Sequence, residues 1–161
     1  MSNTASLTVV LAPSLVFLKT VSVLNDPFNG TTSPKNIPGA NVLYNLRVTN
    51  TGAGTVDANM LIITDPIPGN TAMFVGDLWA VNSGPILFVQ GSPTSGLAYT
   101  FSGLPSGADD VDFFSDIACA TPLVPVPPYD ANVKCIRLNP KGTMSGGGSP
   151  YFELRFKVQI N

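Results

Sequence analysis

The chain has 161 residues, of which 44% are apolar and only 11% charged, with 15 glycines, 15 prolines and a formal net charge of −2. With so few cations and no basic run, nothing can displace counterions from a phosphate backbone, so nucleic acid is excluded as an expected partner. The length suits one domain around one core, and a surface dressed in Ser, Thr, Asn and Gly suits a molecule that packs against copies of itself.

In chain order, the first β-prone segment is TASLTVVLA at residues 4–12, with Leu7, Val9 and Leu11 on one face and Val10 and Ala12 on the other. The apolar stretch from Leu7 to Leu18 is broken by Thr8, Pro13 and Ser14. It falls short of the roughly 20 residues a membrane-spanning helix needs, so no span is expected. No cationic segment or small-residue cleavage site marks a leader, so export is expected either after a leader is removed or without one. Pro13 separates an arm, residues 1–13, from the body of the fold, residues 14–161. A loop rich in Pro, Asn and Gly is expected from Asn25 to Pro38.

Two segments alternate strictly, the mark of a strand half buried in a sheet. Val42, Tyr44, Leu46 and Val48 share one face of the first; Phe152, Leu154, Phe156, Val158 and Ile160 share one face of the second. Between them the shorter β-rich runs 58–64, 71–75, 86–90, 97–101 and 132–138 are bounded by turn-forming residues, a spacing typical of sandwiches and barrels. The proline-dense 122–128 segment reads as a loop and the glycine-rich 142–150 segment as a flexible connector. A short helical turn over 106–112 is the one departure from an all-β reading.

Residues 37–68 read IPGANVLYNLRVTNTGAGTVDANMLIITDPIP. A Pro-Gly turn (Pro38-Gly39) is followed by an alternating strand with an inward Tyr44, an Asn50-Thr51-Gly52 turn, a second strand over residues 60–64 and an Asp65-Pro66-Ile67-Pro68 exit. Each has a local reason: Gly52 is free to take the positive φ of a tight turn, Asn50 can bond its own backbone, and Pro66 and Pro68 remove ladder donors. This pattern, with Leu18-Lys19-Thr20-Val21 upstream as a first strand, resembles the repeated immunoglobulin-like domain of unknown function in bacterial and archaeal surface proteins. The resemblance covers about residues 15–75, and 104–141 exceeds the simplest form of that domain. It implies an immunoglobulin-like antiparallel β-sandwich with exported, structural or adhesive duty and no catalysis.

The sequence offers little to catalysis. It has no histidine, which removes the usual proton shuttle and the Ser-His-Asp and Cys-His nucleophiles. No Ser stands three residues before a Lys, and Gly52-Ala53-Gly54 lacks both the third glycine and the following helix of a dinucleotide loop. Asp109, Asp110, Asp112 and Asp116 concentrate carboxylates as a flexible Ca²⁺ loop could, but the spacing does not match the helical calcium loop, and a solvated acidic loop is the preferred reading because Asp is common in turns for backbone reasons alone. A glycosidase pair is disfavoured because Trp79, the single tryptophan, lies far away in sequence. Cys119 and Cys135 either close a disulfide loop in an exported protein or remain two buried thiols. Asn29-Gly30-Thr31 fits the N-glycosylation rule, a tripeptide that also arises by chance.

The arm therefore dominates the functional expectation. A lone edge strand bearing Leu7, Val9, Val10 and Leu11 leaves apolar groups and open backbone uncovered. Either it folds back onto its own sandwich or it is donated to the sheet of a second copy; head-to-tail donation that does not close into a ring propagates a filament. The expected role is a subunit of an extracellular homopolymer. The alternatives are a cell-surface adhesion module that touches a glycan or protein through loops 25–38 and 76–96, and, third, a viral coat subunit.

Overall fold

The structure, a computed structural model, describes residues 10–104 and 109–161. Among the described residues there is no helix, and the fold is an all-β sandwich of two antiparallel sheets. The strands are β1 (Leu15–Asn25), β2 (Asn41–Asn50), β3 (Ile63–Pro66), β4 (Thr71–Phe74), β5 (Leu87–Gln90), β6 (Val111–Phe114), β7 (Tyr129–Asp130), β8 (Cys135–Leu138) and β9 (Tyr151–Ile160). The larger sheet runs β1-β2-β9-β4-β7, with β5 also on β9; the smaller runs β3-β8-β6.

The two strongly alternating segments become β2 and β9, and they pair with each other. Their registers place Val42 opposite Val158, Tyr44 opposite Phe156, Leu46 opposite Leu154 and Val48 opposite Phe152. One face of both strands is therefore continuous and apolar, because the side-chain period of a strand is two. Tyr44 and Phe156 stack with ring centroids 5.3 Å apart. Across the sandwich the smaller sheet answers with Ile63, Val111, Phe113, Ile136 and Leu138, all buried in the same core cluster. Opposite faces of β2 and β9 carry polar pairs: Arg155 meets Glu153 at 2.6 Å, and the Arg47 guanidinium lies 3.5 Å from the Tyr151 ring centroid.

Several expectations need correction. The 58–64 run becomes a strand only at Ile63, and it continues to Pro66. Residues 97–101 form no strand, only the isolated bridge between Ala98 and Lys141. The Thr100 N–H that a ladder would use donates instead to Asp110 Oδ2 at 2.7 Å. Of the expected helical turn, residues 105–108 lie outside the described residues, and Asp112 is in β6. Nor is 142–150 a free connector. Met144 is fully buried and its carbonyl accepts from Val56 N–H, while Ser145 N–H donates to Ser95 and Gly147 N–H to Gly52.

Candidate assembly surface

β1 is the terminal strand of the larger sheet and β3 of the smaller. Among the described residues no strand covers the outer edge of either. The two edges lie across the sandwich from each other, tied by Lys19 of β1 and Asp65 of β3, whose Nζ and Oδ1 are 2.5 Å apart. The Lys19 ammonium also sits 4.8 Å from the Tyr44 ring centroid. Two residues of the sequence pattern, the first-strand Lys and the Asp of Asp-Pro-x-Pro, thus meet across 46 positions. Sequence reasoning marked both, but no local signal pairs them.

On either side of this bridge the gap between the sheets is open. A cleft of about 370 Å³ is lined by Phe17 and Leu46 on one side and by residues 62–65 on the other. A second, of about 270 Å³, includes Val21, Tyr44, Pro68 and Val158. All seven residues from 16 to 22 are exposed. Among them Val16, Phe17, Leu18 and Val21 are each between 50% and 60% accessible, as is Ile62 across the cleft. A long edge of this kind, without proline or glycine and regular in register until the shift between Val23 and Asn25, is what native sheets ordinarily cover or blunt. Its one charge, Lys19, is turned inward and neutralised by Asp65, so it presents little deterrent to an incoming strand.

At the start of β1 the chain is fastened by Asn50, whose side chain is completely buried. Its Oδ1 accepts from Ser14 N–H at 3.0 Å and Gly52 N–H at 3.1 Å. Its Nδ2 donates to the carbonyls of Gly54 at 2.8 Å and Ser145 at 2.9 Å. The self-bonding Asx turn expected of Asn50 is present, and it also grips the base of the arm and the 142–150 segment. Gly52 is needed for a reason other than the one expected. It is not among the residues with positive φ; a Cβ there would fall 2.5 Å from the Ala12 carbonyl oxygen, and one at Gly54 would fall 2.1 Å from that of Leu11. These glycines let residues 11–13 lie flat on the turn, with Gly54 N–H donating to Ala12.

Of the assembly residues expected from sequence, Leu7 and Val9 lie outside the described residues. Val10 and Leu11 are 85% and 60% exposed, and among the described residues the first strand begins at Leu15.

The acidic residues are dispersed among separate tasks. Asp110 is buried, caps Thr100 and faces Lys141 Nζ at 3.6 Å. Asp109 accepts from Ser102 N–H. Asp112 stands in β6 opposite Arg137 of β8. Asp116 closes its own turn by accepting from the N–H groups of Ala118, Ala120 and Thr121; these bonds, Thr121 foremost, hold its carboxyl below the ordinary value. Among the described residues no group of three or more His, Cys, Asp or Glu side chains is gathered as metal ligands.

Cys119 and Cys135 are joined in a disulfide with Cα atoms 5.4 Å apart. With Phe114 they form a second buried cluster, and Arg137 lies over the Phe114 ring and donates to the Cys119 carbonyl. The bond clamps the 115–121 turn onto the smaller sheet.

The two loops named for ligand contact are braced by carboxylates. Asp26 accepts from the N–H groups of Phe28, Asn29 and Lys35, which depress its pKa, Asn29 most of all. Asp77 accepts from Asn82 and Gly84. These loops present Phe28 and Trp79 to solvent. Asn29 is exposed, with its amide donating to Asp26 Oδ2 at 3.0 Å.

No family model, curated protein or solved structure matches the chain.

Proposed function

We propose that this chain is a non-catalytic structural subunit of an extracellular filament or pilus-like fibre, built from copies of itself by β-strand donation. In this reading its sandwich is of the immunoglobulin-like kind repeated in bacterial and archaeal surface proteins. The observation that carries it is β1, an eleven-residue edge strand whose outer backbone edge is paired by no strand among the described residues and whose large side chains are half exposed on both faces. A monomer that kept such an edge open would be prone to edge-to-edge association. A chain whose N-terminal sequence is an apolar, β-prone arm has the means to satisfy it head to tail. The Cys119–Cys135 bond supports an oxidising, extracellular setting, and the low charge supports close packing of identical surfaces.

The test is negative-stain microscopy of the full chain beside a variant lacking residues 2–9, which keeps the contacts of residues 12–14 with the 50–54 turn. Fibres of uniform width from the first and dispersed particles from the second are expected. A full-length protein that stays monomeric at high concentration, or a truncated one that forms the same fibres, refutes the reading.

A second reading has its own observation. Phe28 and Trp79 are aromatic side chains held out on rigid, carboxylate-braced loops, as in an adhesion module that docks on a surface glycan or protein. Glycan or partner binding that survives removal of the arm, and is lost in Trp79→Ala, would favour it.

A further inference from the structure

We infer that the open edge of β1 is the acceptor for the N-terminal arm of a second copy, with residues 4–9 of one molecule lying along residues 16–22 of the next. This rests on the assembly reading above and adds the site at which donation ends.

Length and pattern agree. Six to seven residues in extended form span roughly 20 Å at about 3.4 Å each, so the arm and the exposed stretch match in length. In β1 the inward row is Phe17, Lys19 and Val21, and the outward row is Val16, Leu18, Thr20 and Ser22. In the arm Ala5, Leu7 and Val9 form one row and Thr4, Ser6 and Thr8 the other. Docked with its apolar row inward, the arm places Leu7 and Val9 along the Phe17–Val21 row, facing the clefts on either side of the Lys19–Asp65 bridge. Its hydroxyl row then continues the Thr20 and Ser22 face. The Lys19–Asp65 bridge divides the cleft into two pits, Phe17 and Val21 being four residues apart, and this spacing resists slippage of the incoming strand.

The occupant is another molecule's arm for a reason visible at the base. Traced back from Leu15, the chain continues the line of β1 past the end of β2, where Thr51 N–H donates to the Ser14 carbonyl and Gly54 N–H to that of Ala12. Residues 12–14 are therefore held beyond the end of β2 and not alongside residues 16–22. To return there the chain would have to reverse within Thr8-Val9-Val10, β-branched residues ill suited to the positive φ of a tight turn. The own sandwich also leaves Val10 and Leu11 largely uncovered.

The experiment is disulfide trapping in the full chain. Leu7→Cys is combined in separate proteins with Phe17→Cys, with Val21→Cys and, as a remote control, with Val81→Cys. A ladder of covalent oligomers on a non-reducing gel, in at least one β1 pairing and not in the control, is expected, collapsing on reduction. A cross-linked product of single-chain size shows that the arm folds back and overturns the inference, as does a ladder equally strong in the control. Fibres in the microscope with no β1 cross-link remove this acceptor but leave the filament reading, whereas neither fibres nor ladder removes both. Val21→Lys, at an exposed position, should keep the thermal midpoint of the parent and abolish assembly; fibres of parental yield from it would also refute the site.

Discussion

Asn50→Ala tests the fastening of the arm's base most directly. The substitution removes two donor and two acceptor contacts from a side chain with no solvent access. Of the four groups released, the Gly54 carbonyl belongs to a buried residue, while Ser14 is exposed and Gly52 and Ser145 are half-buried. A buried polar group left without a partner costs about 1–3 kcal/mol, and groups that regain water cost less. One full penalty and three partial ones give about 3–4 kcal/mol, a large share of the roughly 5–15 kcal/mol that holds a domain folded. For a chain of this size each kcal/mol lowers the thermal midpoint by about 2–4 °C, so a fall of about 10 °C is expected. Urea titration of the parent and Asn50→Ala proteins measures it, and limited proteolysis should show earlier cleavage near residues 10–14. A loss below about 1 kcal/mol would mean that these contacts are made to water as readily as to Asn50, and the account of the hub would be wrong.

Three other outcomes follow from the same structure. A double-mutant cycle with Lys19→Met and Asp65→Asn should give a coupling of about 1–2 kcal/mol, since Asp65 is nearly buried but Lys19 is one-third exposed; additive single mutants would show that the bridge is incidental. Replacing both Cys119 and Cys135 by Ser, a pair 16 residues apart, should lower stability by about 3 kcal/mol by the loop-closure relation, read as a shift in urea midpoint that reductant reproduces in the parent. Acidification should weaken the fold. Backbone N–H groups depress Asp26, Asp77 and Asp116, and the Arg155 hydrogen bond depresses Glu153. Folded values below unfolded ones mean stability present at neutral pH and lost as pH falls below the ordinary values of 3.8 and 4.5. A urea midpoint unchanged between pH 6 and about pH 2.5 would contradict those caps.

β2 and β9 were legible because each is ten residues long and half buried, the condition under which a period of two is written into the residues. β6 and β7, of four and two residues, are too short for any alternation to register. The 97–101 run has strand composition, yet the Asp110 carboxylate takes the Thr100 N–H that would extend a ladder. The glycines of 142–150 suggested slack, whereas Gly146 is one more point of close approach, a Cβ there falling 2.3 Å from the Gly54 carbonyl oxygen. The acidic cluster was visible as composition, but which backbone each carboxylate would cap depended on turns that form only with the sheets in place.

By itself the sequence determined that the chain is all-β, that Tyr44 and its alternating neighbours face inward, and that the Asn50-Thr51-Gly52 and Asp65-Pro66 segments punctuate strands, because these follow from local periodicity and backbone chemistry. Only the tertiary structure decided that Lys19 meets Asp65, that Asn50 holds the base of the arm, and that β1 stands at the sheet's edge with its apolar side chains half exposed. Those are contacts and vacancies between segments tens of residues apart, and a strand's own residues do not say whether a neighbour will arrive on both sides of it or on one.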